Sequence, residues 1–464
     1  MVSLSLRQIA EFARGTLTAG DGAQTVSRIS TDSRTLKAGN LFVPLRGENF
    51  DGHKFIEQAI ERGASAAIVE ENWKGKAPEN FPLIRVNDTL SAYQRLAANY
   101  RRSLPLKVIA ITGSNGKTST KDFVAAVLAR RFRVTKTEGN FNNHVGLPQT
   151  MLAANPNDEI AVWEIGMNHP GEIDALAKLG APDVAIITNI GLAHIEFMGS
   201  REAIALEKGA LAEAIAPEGR VILNGDDSFS QSITQRSRAK IILAGIDAGS
   251  IRAIEVRQSA TGSEFTILEE AHRCRARLPV PGIHMVQNAM LAVAAGRVFG
   301  VSLEECAAGL ASTPLTKARL QIKEINGVQF IDDSYNANPD SMKAALRTLM
   351  ELDTEGRRLA VLGGMSELGE ASESGHREVG EAAAALGIDE LIAVGPTGAP
   401  IAEAAKKAGL ENCVIVDEPE QAAERLIANA SAGDLILVKG SRSTRMERVL
   451  EAFAKLRPTA EVAS

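Results

Sequence analysis

The chain predicts an α/β protein of three domains: a small α/β N-terminal domain, a central domain on a mostly parallel sheet, and a doubly wound C-terminal domain. Three observations carry this expectation. At about 150 residues per domain, 464 residues fill about three. From residue 108 onward, short apolar runs alternate with helix-length stretches, as expected of parallel strands covered on both faces. A glycine-containing turn at 113–116 lies between one such run and one such stretch.

The first segment, 1–104, mixes β-like runs at 41–45, 66–69 and 83–86 with a helix-like stretch at 54–62. A second helix, 90–102, leads into Pro105, which marks a boundary. The second segment, 105–313, opens with the apolar run 108–111 and an amphipathic stretch, 117–131. In that stretch Phe123, Val127 and Leu128 share one helical face. Buried-strand candidates follow at 160–165, 184–188, 221–223 and 241–244. Alternation at 253–278 predicts an antiparallel insertion, and a helix at 287–299 closes the segment. The third segment, 314–464, carries strand-like runs at 328–331, 359–362, 391–394, 414–416 and 435–438 between Ala-rich helices. Its last residues, 457–464, are expected to fray.

Composition narrows the function classes. Hydrophobic residues make up 45% and charged residues 23%, ordinary for a globular protein, while aromatics reach only 4%. The net charge of −6 disfavours a nucleic-acid or anionic-membrane partner, so any phosphate must be held by a local site. Cys274, Cys306 and Cys413 are odd in number and far apart, which favours a reducing compartment over a disulfide framework. The first fifteen residues carry Arg7, Glu11 and Arg14, unlike a signal peptide. No apolar stretch approaches 18 residues, so no membrane insertion is expected. A cytoplasmic location follows as the expectation.

The sharpest local signal is Thr112-Gly113-Ser114-Asn115-Gly116-Lys117-Thr118, between a strand and a helix. Glycines let backbone N–H groups approach phosphates, and a helix N-terminus adds partial positive charge. Lys117 would reach the β/γ-phosphates and the Thr118 hydroxyl would bind Mg²⁺. Position 111 is Ile where the common pattern has its first Gly, and an ordinary strand-to-helix turn is the competing reading. Glu164 ends the run 160–165, where a carboxylate can serve a cation. His194 and Lys208 stand after the next strand. Taken singly, these three read equally as a solvated Glu, a structural His and a surface Lys.

Together, the stretch 112–118, Glu164-Ile165-Gly166-Met167-Asn168-His169, the stretch 188–194 and Lys208-Gly209 resemble the ATP-dependent Mur ligases of peptidoglycan precursor synthesis. The shortened phosphate loop of that family accounts for Ile111. The likeness covers essentially the whole chain. Ser30–Arg34, Gly39–Gly47 and Phe50-Asp51-Gly52-His53 resemble the family's UDP-sugar-binding domain. Asp332–Met342 and Lys439-Gly440-Ser441-Arg442 resemble the C-terminal domain of the member that adds the terminal dipeptide.

The resemblance implies a central P-loop ATPase domain, a C-terminal Rossmann-like domain, and an ATP-dependent acid–amino-acid ligase. Its expected partners are UDP-N-acetylmuramoyl-tripeptide, held by 1–104, and D-alanyl-D-alanine, held by 314–464, with ATP on 105–313. A monomer is expected. One Mg²⁺ would be held by Thr118 and Glu164, a second by His194 and a carbamylated Lys208. Arg319 would reach the γ-phosphate. Asn288, Tyr335 and Asn336 match nucleotide-side positions. Ser33, Arg34, Asn49 and Phe50 match UDP-sugar positions, and Asn140, Asn142 and Asn338 are expected along the substrate path.

One departure is clear: in 361–369, which resembles the family's VLGDMxELG, Gly364 stands where Asp is usual. Two rival functions remain open here. One is a related ligase adding a single amino acid. The other is a non-enzymatic P-loop module that hydrolyses ATP slowly without an amino-acid substrate.

Overall fold

The computed structural model describes residues 4–456 apart from 27, 48 and 315, so the expected fraying at 457–464 lies outside the described residues. The chain divides into two units: Met1–Ala110, Phe132–Gly166 and Glu172–Val184 form one, and Ile111–Arg131, Met167–Gly171 and Ala185–Ser464 form the other.

In the first unit, a five-stranded sheet runs in the order Thr16–Leu17, Leu83–Val86, Ala66–Glu70, Leu41–Phe42, Ile29–Ser30. Only the first pairing is antiparallel. One core contains Phe42, Ile56, Ala67, Val69 and Leu83, with Trp73 and Phe81 packed at its margin. The expected strand at 41–45 is shorter, because Pro44 cannot donate to a ladder. The helix expected at 54–62 is Ile56–Glu61, entered through a 3₁₀ turn at Gly52–Phe55. The helix Thr89–Ser103 matches its expected span, and the Asp88 carboxylate accepts from the Ser91 N–H at its start. In the same unit Val134–Lys136 pairs in parallel with Ile160–Glu164. The helix Gly146–Ala153 was not expected. Pro148 reads as a breaker in sequence, yet at the third helical position it costs no internal hydrogen bond.

The second unit holds the strands Arg220–Asn224, Lys240–Gly245 and Ile251–Ser259, paired in parallel. Gly262–Glu269 and His272–Leu278 then add antiparallel hairpins, which is the predicted insertion. A six-stranded sheet follows in the order Gln321–Ile325, Val328–Asp333, Leu435–Lys439, Arg358–Gly363, Glu390–Val394, Cys413–Val416. All its pairings are parallel except the first. The five strands predicted for this segment are all present, each within two residues of its expected ends. Four of them are buried on both faces as parallel sheets require, with Phe330, Val361, Ile392, Ile436 and Val438 on one face and Ile331, Leu362, Leu391 and Leu437 on the other, while the edge strand Cys413–Val416 is half-buried and leaves Ile415 exposed. The last strand returns between the first two parallel strands, which places the ends of Val328–Asp333, Leu435–Lys439 and Arg358–Gly363 side by side. Ligands of such sheets bind at these carboxyl ends.

Among the described residues all three cysteines are free, and no helix is long and apolar enough to cross a membrane. The helix Lys117–Leu128 packs against Ile283–Val298 and Leu303–Ala311 through small residues. A Cβ on Gly309 would lie 2.7 Å from Val127 Cα, a backbone atom that cannot step aside. Alanine there gains about 1 kcal/mol of helix propensity, but because the obstacle is backbone it loses about 2–3 kcal/mol to overpacking, a net cost of about 1–2 kcal/mol. We expect Gly309→Ala to lower Tm by about 2–5 °C in a thermal melt; an unchanged or higher Tm would refute this packing argument.

Candidate active site

The strand Lys107–Thr112 runs into the glycine turn, and the helix Lys117–Leu128 leaves it. Gly113 (φ +147°) and Gly116 (φ +78°) occupy backbone conformations that side chains disfavour. Space excludes side chains as well. A Cβ on Gly113 would lie 1.8 Å from Thr188 Oγ1, and one on Gly116 would lie 2.5 Å from Asn288 Nδ2. Asn288 therefore stands against the loop, but in the second turn of Ile283–Val298, a helix that begins four residues before its expected start.

A second loop grips the first. The Ser114 N–H donates to the Asn189 carbonyl (2.9 Å), and the Asn115 N–H to Asn189 Oδ1 (2.9 Å). Thr188 Oγ1 and Asn189 Nδ2 both donate to the Asn115 carbonyl, at 2.5 and 3.1 Å. The Gly191 N–H donates to Ser114 Oγ (2.8 Å). Asp227 and Arg201 hold this second loop from behind, through the Ile190 N–H and carbonyl. The Lys117 ammonium donates to the Gly113 carbonyl (2.8 Å), which keeps its charge over the loop. Thr112 and Thr118 are buried, and Thr112 Oγ1 has no hydrogen-bond partner.

Lys208, on the helix Arg201–Glu213, is 1% exposed. Burial, reinforced by the charge of Lys117, pulls its amine well below the usual lysine range, against a smaller opposing effect of Glu207. His194 adopts a left-handed backbone (φ 65°), and its Nδ1 lies 2.6 Å from Glu367 Oε2, a short contact without hydrogen-bond alignment. His194 beside it holds the Glu367 carboxyl below its ordinary range.

Four residues predicted in the C-terminal segment also lie in this unit. Asn338 caps the helix Pro339–Glu351, accepting from the Ser341 N–H, while its Nδ2 donates to Asn115 Oδ1 (2.7 Å). The Arg319 guanidinium lies over the Tyr335 ring at 4.3 Å, and its Nε has no hydrogen-bond partner. Asn336 is exposed, and its carbonyl accepts from the Lys439 ammonium (2.9 Å). Lys439 also pairs with Asp333. Nearby, burial pulls the His284 imidazole down to about 4, so it is neutral at pH 7.

The first unit holds the other predicted residues. Glu164 is buried at the end of its strand, accepts from Asn142 Nδ2 (2.8 Å), and its own N–H donates to Thr137 Oγ1. Asn140 is exposed, and its carbonyl accepts from the Asn142 N–H. Ser33 Oγ donates to Gln58 Oε1, and Arg34 pairs with Asp32 at the surface. Asn49 and Phe50 are exposed, with Phe50 stacked on Phe55 at 5.4 Å.

Sequence reasoning misses several groups in the second unit. Asp340 Oδ2 accepts from the Leu192 N–H (2.9 Å), and Glu367 meets His194. The hydroxyls of Ser366, Ser441 and Ser443 lie within 2.9–3.1 Å of one another beyond the strand ends. No short motif marks these pairings, since all but Ser441 with Ser443 join residues far apart in sequence. The departure at Gly364 also has a local reason. A Cβ there would lie 2.2 Å from Thr397 Oγ1, so Thr397 fills the space an aspartate would need.

Among the described residues no three His, Cys, Asp or Glu cluster as a metal site. The expected ligand set contains a hydroxyl and a lysine, so it is not of that kind. The fold and this loop define a P-loop nucleotide-binding protein of the α/β class. The chain belongs to the Mur ligase family: sequence models of the family match it at residues 25–101 ("Mur ligase family, catalytic domain"), 111–296 ("Mur ligase middle domain") and 318–442 ("Mur ligase, glutamate ligase domain"). It is 42% identical over 456 residues to the UDP-N-acetylmuramoyl-tripeptide–D-alanyl-D-alanine ligase of Bacillus subtilis, covering 97% of this chain and 98% of that one. A crystal structure of MurF from Acinetobacter baumannii superposes with a TM-score of 0.89 at 33% identity, covering 98% and 99%. The MurF ligase of Thermotoga maritima, solved in complex with ADP, gives 0.83 at 28% identity, covering 93% and 97%.

Gly113→Ala combines a disfavoured backbone with a collision, costing about 2–4 kcal/mol. We expect it to weaken ATP binding by on the order of a hundredfold in a fluorescent-nucleotide titration; wild-type affinity would contradict the account of the loop.

Proposed function

We infer that this chain joins D-alanyl-D-alanine to UDP-N-acetylmuramoyl-tripeptide at the expense of ATP, giving ADP, phosphate and the pentapeptide. The observation that carries this reading is full-length likeness to ligases of that name, together with a phosphate loop held as nucleotide binding requires. A carboxylate does not react with an amine unaided, because its oxygen is a poor leaving group. The γ-phosphoryl group passes to the acceptor carboxylate, and the bond to ADP breaks as the new P–O bond forms. The dipeptide amine then attacks the acyl carbon, loses its proton and expels phosphate. Phosphoryl transfer is mostly positioning and charge neutralisation. Lys117 and Arg319 bear on the transferred group, and Asn288 on the nucleotide.

Two Mg²⁺ ions would neutralise phosphate charge when bound, one held by Thr118 and Glu164, the other by His194 and Lys208. Lys208 suits this role only as a carbamate, since a cation cannot ligate a cation. Its surroundings fit: a buried amine pulled towards its neutral form is the form that adds CO₂, with loss of one proton. In this reading 1–104 holds the UDP-sugar with Ser33, Arg34, Asn49 and Phe50, 105–313 holds ATP, and 314–464 holds the dipeptide. Asn140, Asn142, Tyr335, Asn336 and Asn338 line the substrate side. The family-model matches at 25–101, 111–296 and 318–442 support that partition. We place the enzyme in the cytoplasm as a monomer, in keeping with its use of ATP and its free thiols.

Phosphate release measured with UDP-N-acetylmuramoyl-tripeptide should require D-alanyl-D-alanine and respond poorly to single amino acids. Release indifferent to the dipeptide would overturn the proposal. Lys208→Ala should lower kcat by about a hundredfold and recover partly with added formate or acetate; full activity without rescue would remove Lys208 from the site.

A further inference from the structure

The contact between His194 and Glu367 joins two stretches of chain that match different family models, 111–296 and 318–442. Both partners have left-handed backbones, with φ of 65° at His194 and 60° at Glu367. Histidine visits that region more readily than most residues; glutamate is not among those enriched there, and glycine or asparagine would hold the same turn with less strain. Strain of this kind persists where the side chain has a use. The turn is also docked from its backbone. The Glu196 N–H donates to the Glu367 carbonyl at 3.3 Å, and a Cβ on Gly369 would lie 3.0 Å from Glu196 Cγ. The two stretches thus meet through backbone contacts as well as through the carboxylate.

What the carboxylate does reach is one particular ring nitrogen. Glu367 Oε2 lies 2.6 Å from Nδ1, close to a proton there though off the N–H axis, and a proton on Nδ1 leaves the Nε2 lone pair for a cation. Imidazoles that ligate metals are commonly oriented this way by a carboxylate on the far nitrogen. We propose that Glu367 is a positioning residue that fixes the ring and tautomer of His194, so that the C-terminal stretch completes a cation site belonging to the central one. The proposal rests on the reading of His194 as a metal ligand. It adds that the ligand is correctly presented only while residues 367–369 are docked against residues 194–196.

The test is Mn²⁺ affinity of the full-length enzyme, measured by electron paramagnetic resonance with a non-hydrolysable ATP analogue present. Four proteins are compared: wild type, His194→Ala, Glu367→Gln and Glu367→Gly. The proposal expects Glu367→Gln and Glu367→Gly to weaken Mn²⁺ binding by about 10–100-fold, as loss of an orienting carboxylate does elsewhere. Glu367→Gly is the sharper variant, because it relieves the backbone while removing the carboxylate. If Glu367 served only the turn, that variant would keep wild-type affinity and melt at an equal or higher temperature. Wild-type affinity in both Glu367 variants, with weakened binding in His194→Ala, would overturn the proposal and leave His194 as a ligand. Wild-type affinity in His194→Ala would overturn the reading beneath it, and the proposal with it.

Discussion

The grip of one loop on another is the constraint on which the second unit depends. Residues 113–116 can pass within van der Waals reach of Thr188 and Asn288 only because positions 113 and 116 carry no side chain. The Thr188 hydroxyl and the Asn189 amide then satisfy backbone groups of the loop that would otherwise be left without partners, and Ser114 Oγ returns the contact by accepting from the Gly191 N–H. Each such bond contributes only about 1 kcal/mol net, but losing one leaves a buried polar group unsatisfied at greater cost. The loop is therefore shaped by contacts within the protein, and a site held in this way has less ordering cost to meet on binding. Further out, Asn338 and Asp340 bond to the same two loops and tie the C-terminal stretch to them.

Charge is the second constraint, and it is resolved locally. The chain is acidic overall, yet it places Lys117 over the phosphate loop and buries Lys208 where that charge is felt. A fully buried ammonium without an anionic partner is expensive. Lys208 lowers this cost by favouring the neutral amine.

Much of this was legible in sequence, and the reasons differ by element. The central strands of the six-stranded sheet announce themselves, because burial on both faces leaves nearly unbroken runs such as Leu435–Val438, whereas the edge strand Gln321–Ile325, polar and half-exposed, gives no such signal. The phosphate loop is legible because only glycine meets its backbone and steric demands. The short helix Gly146–Ala153 was hidden by Pro148, whose position in the first turn only the structure reveals. The contacts of Glu367 with His194 and of Asp340 with Leu192 were out of reach, since their partners are 148 or more residues away and follow no spacing rule. Gly364 belongs with these. Its pairing with Thr397 turns an apparent defect in a motif into a matched pair of residues.

The central claim is that the gripped loop serves to activate a carboxylate through phosphoryl transfer. Its most direct measurement uses UDP-N-acetylmuramoyl-tripeptide labelled with ¹⁸O in the reacting carboxylate, with ATP and D-alanyl-D-alanine, and mass analysis of the phosphate released. Attack of the amine on an acyl phosphate leaves one carboxylate oxygen on phosphorus, so each phosphate should carry a single ¹⁸O. Unlabelled phosphate would mean that water, not the carboxylate, accepts the phosphoryl group, and would contradict the account.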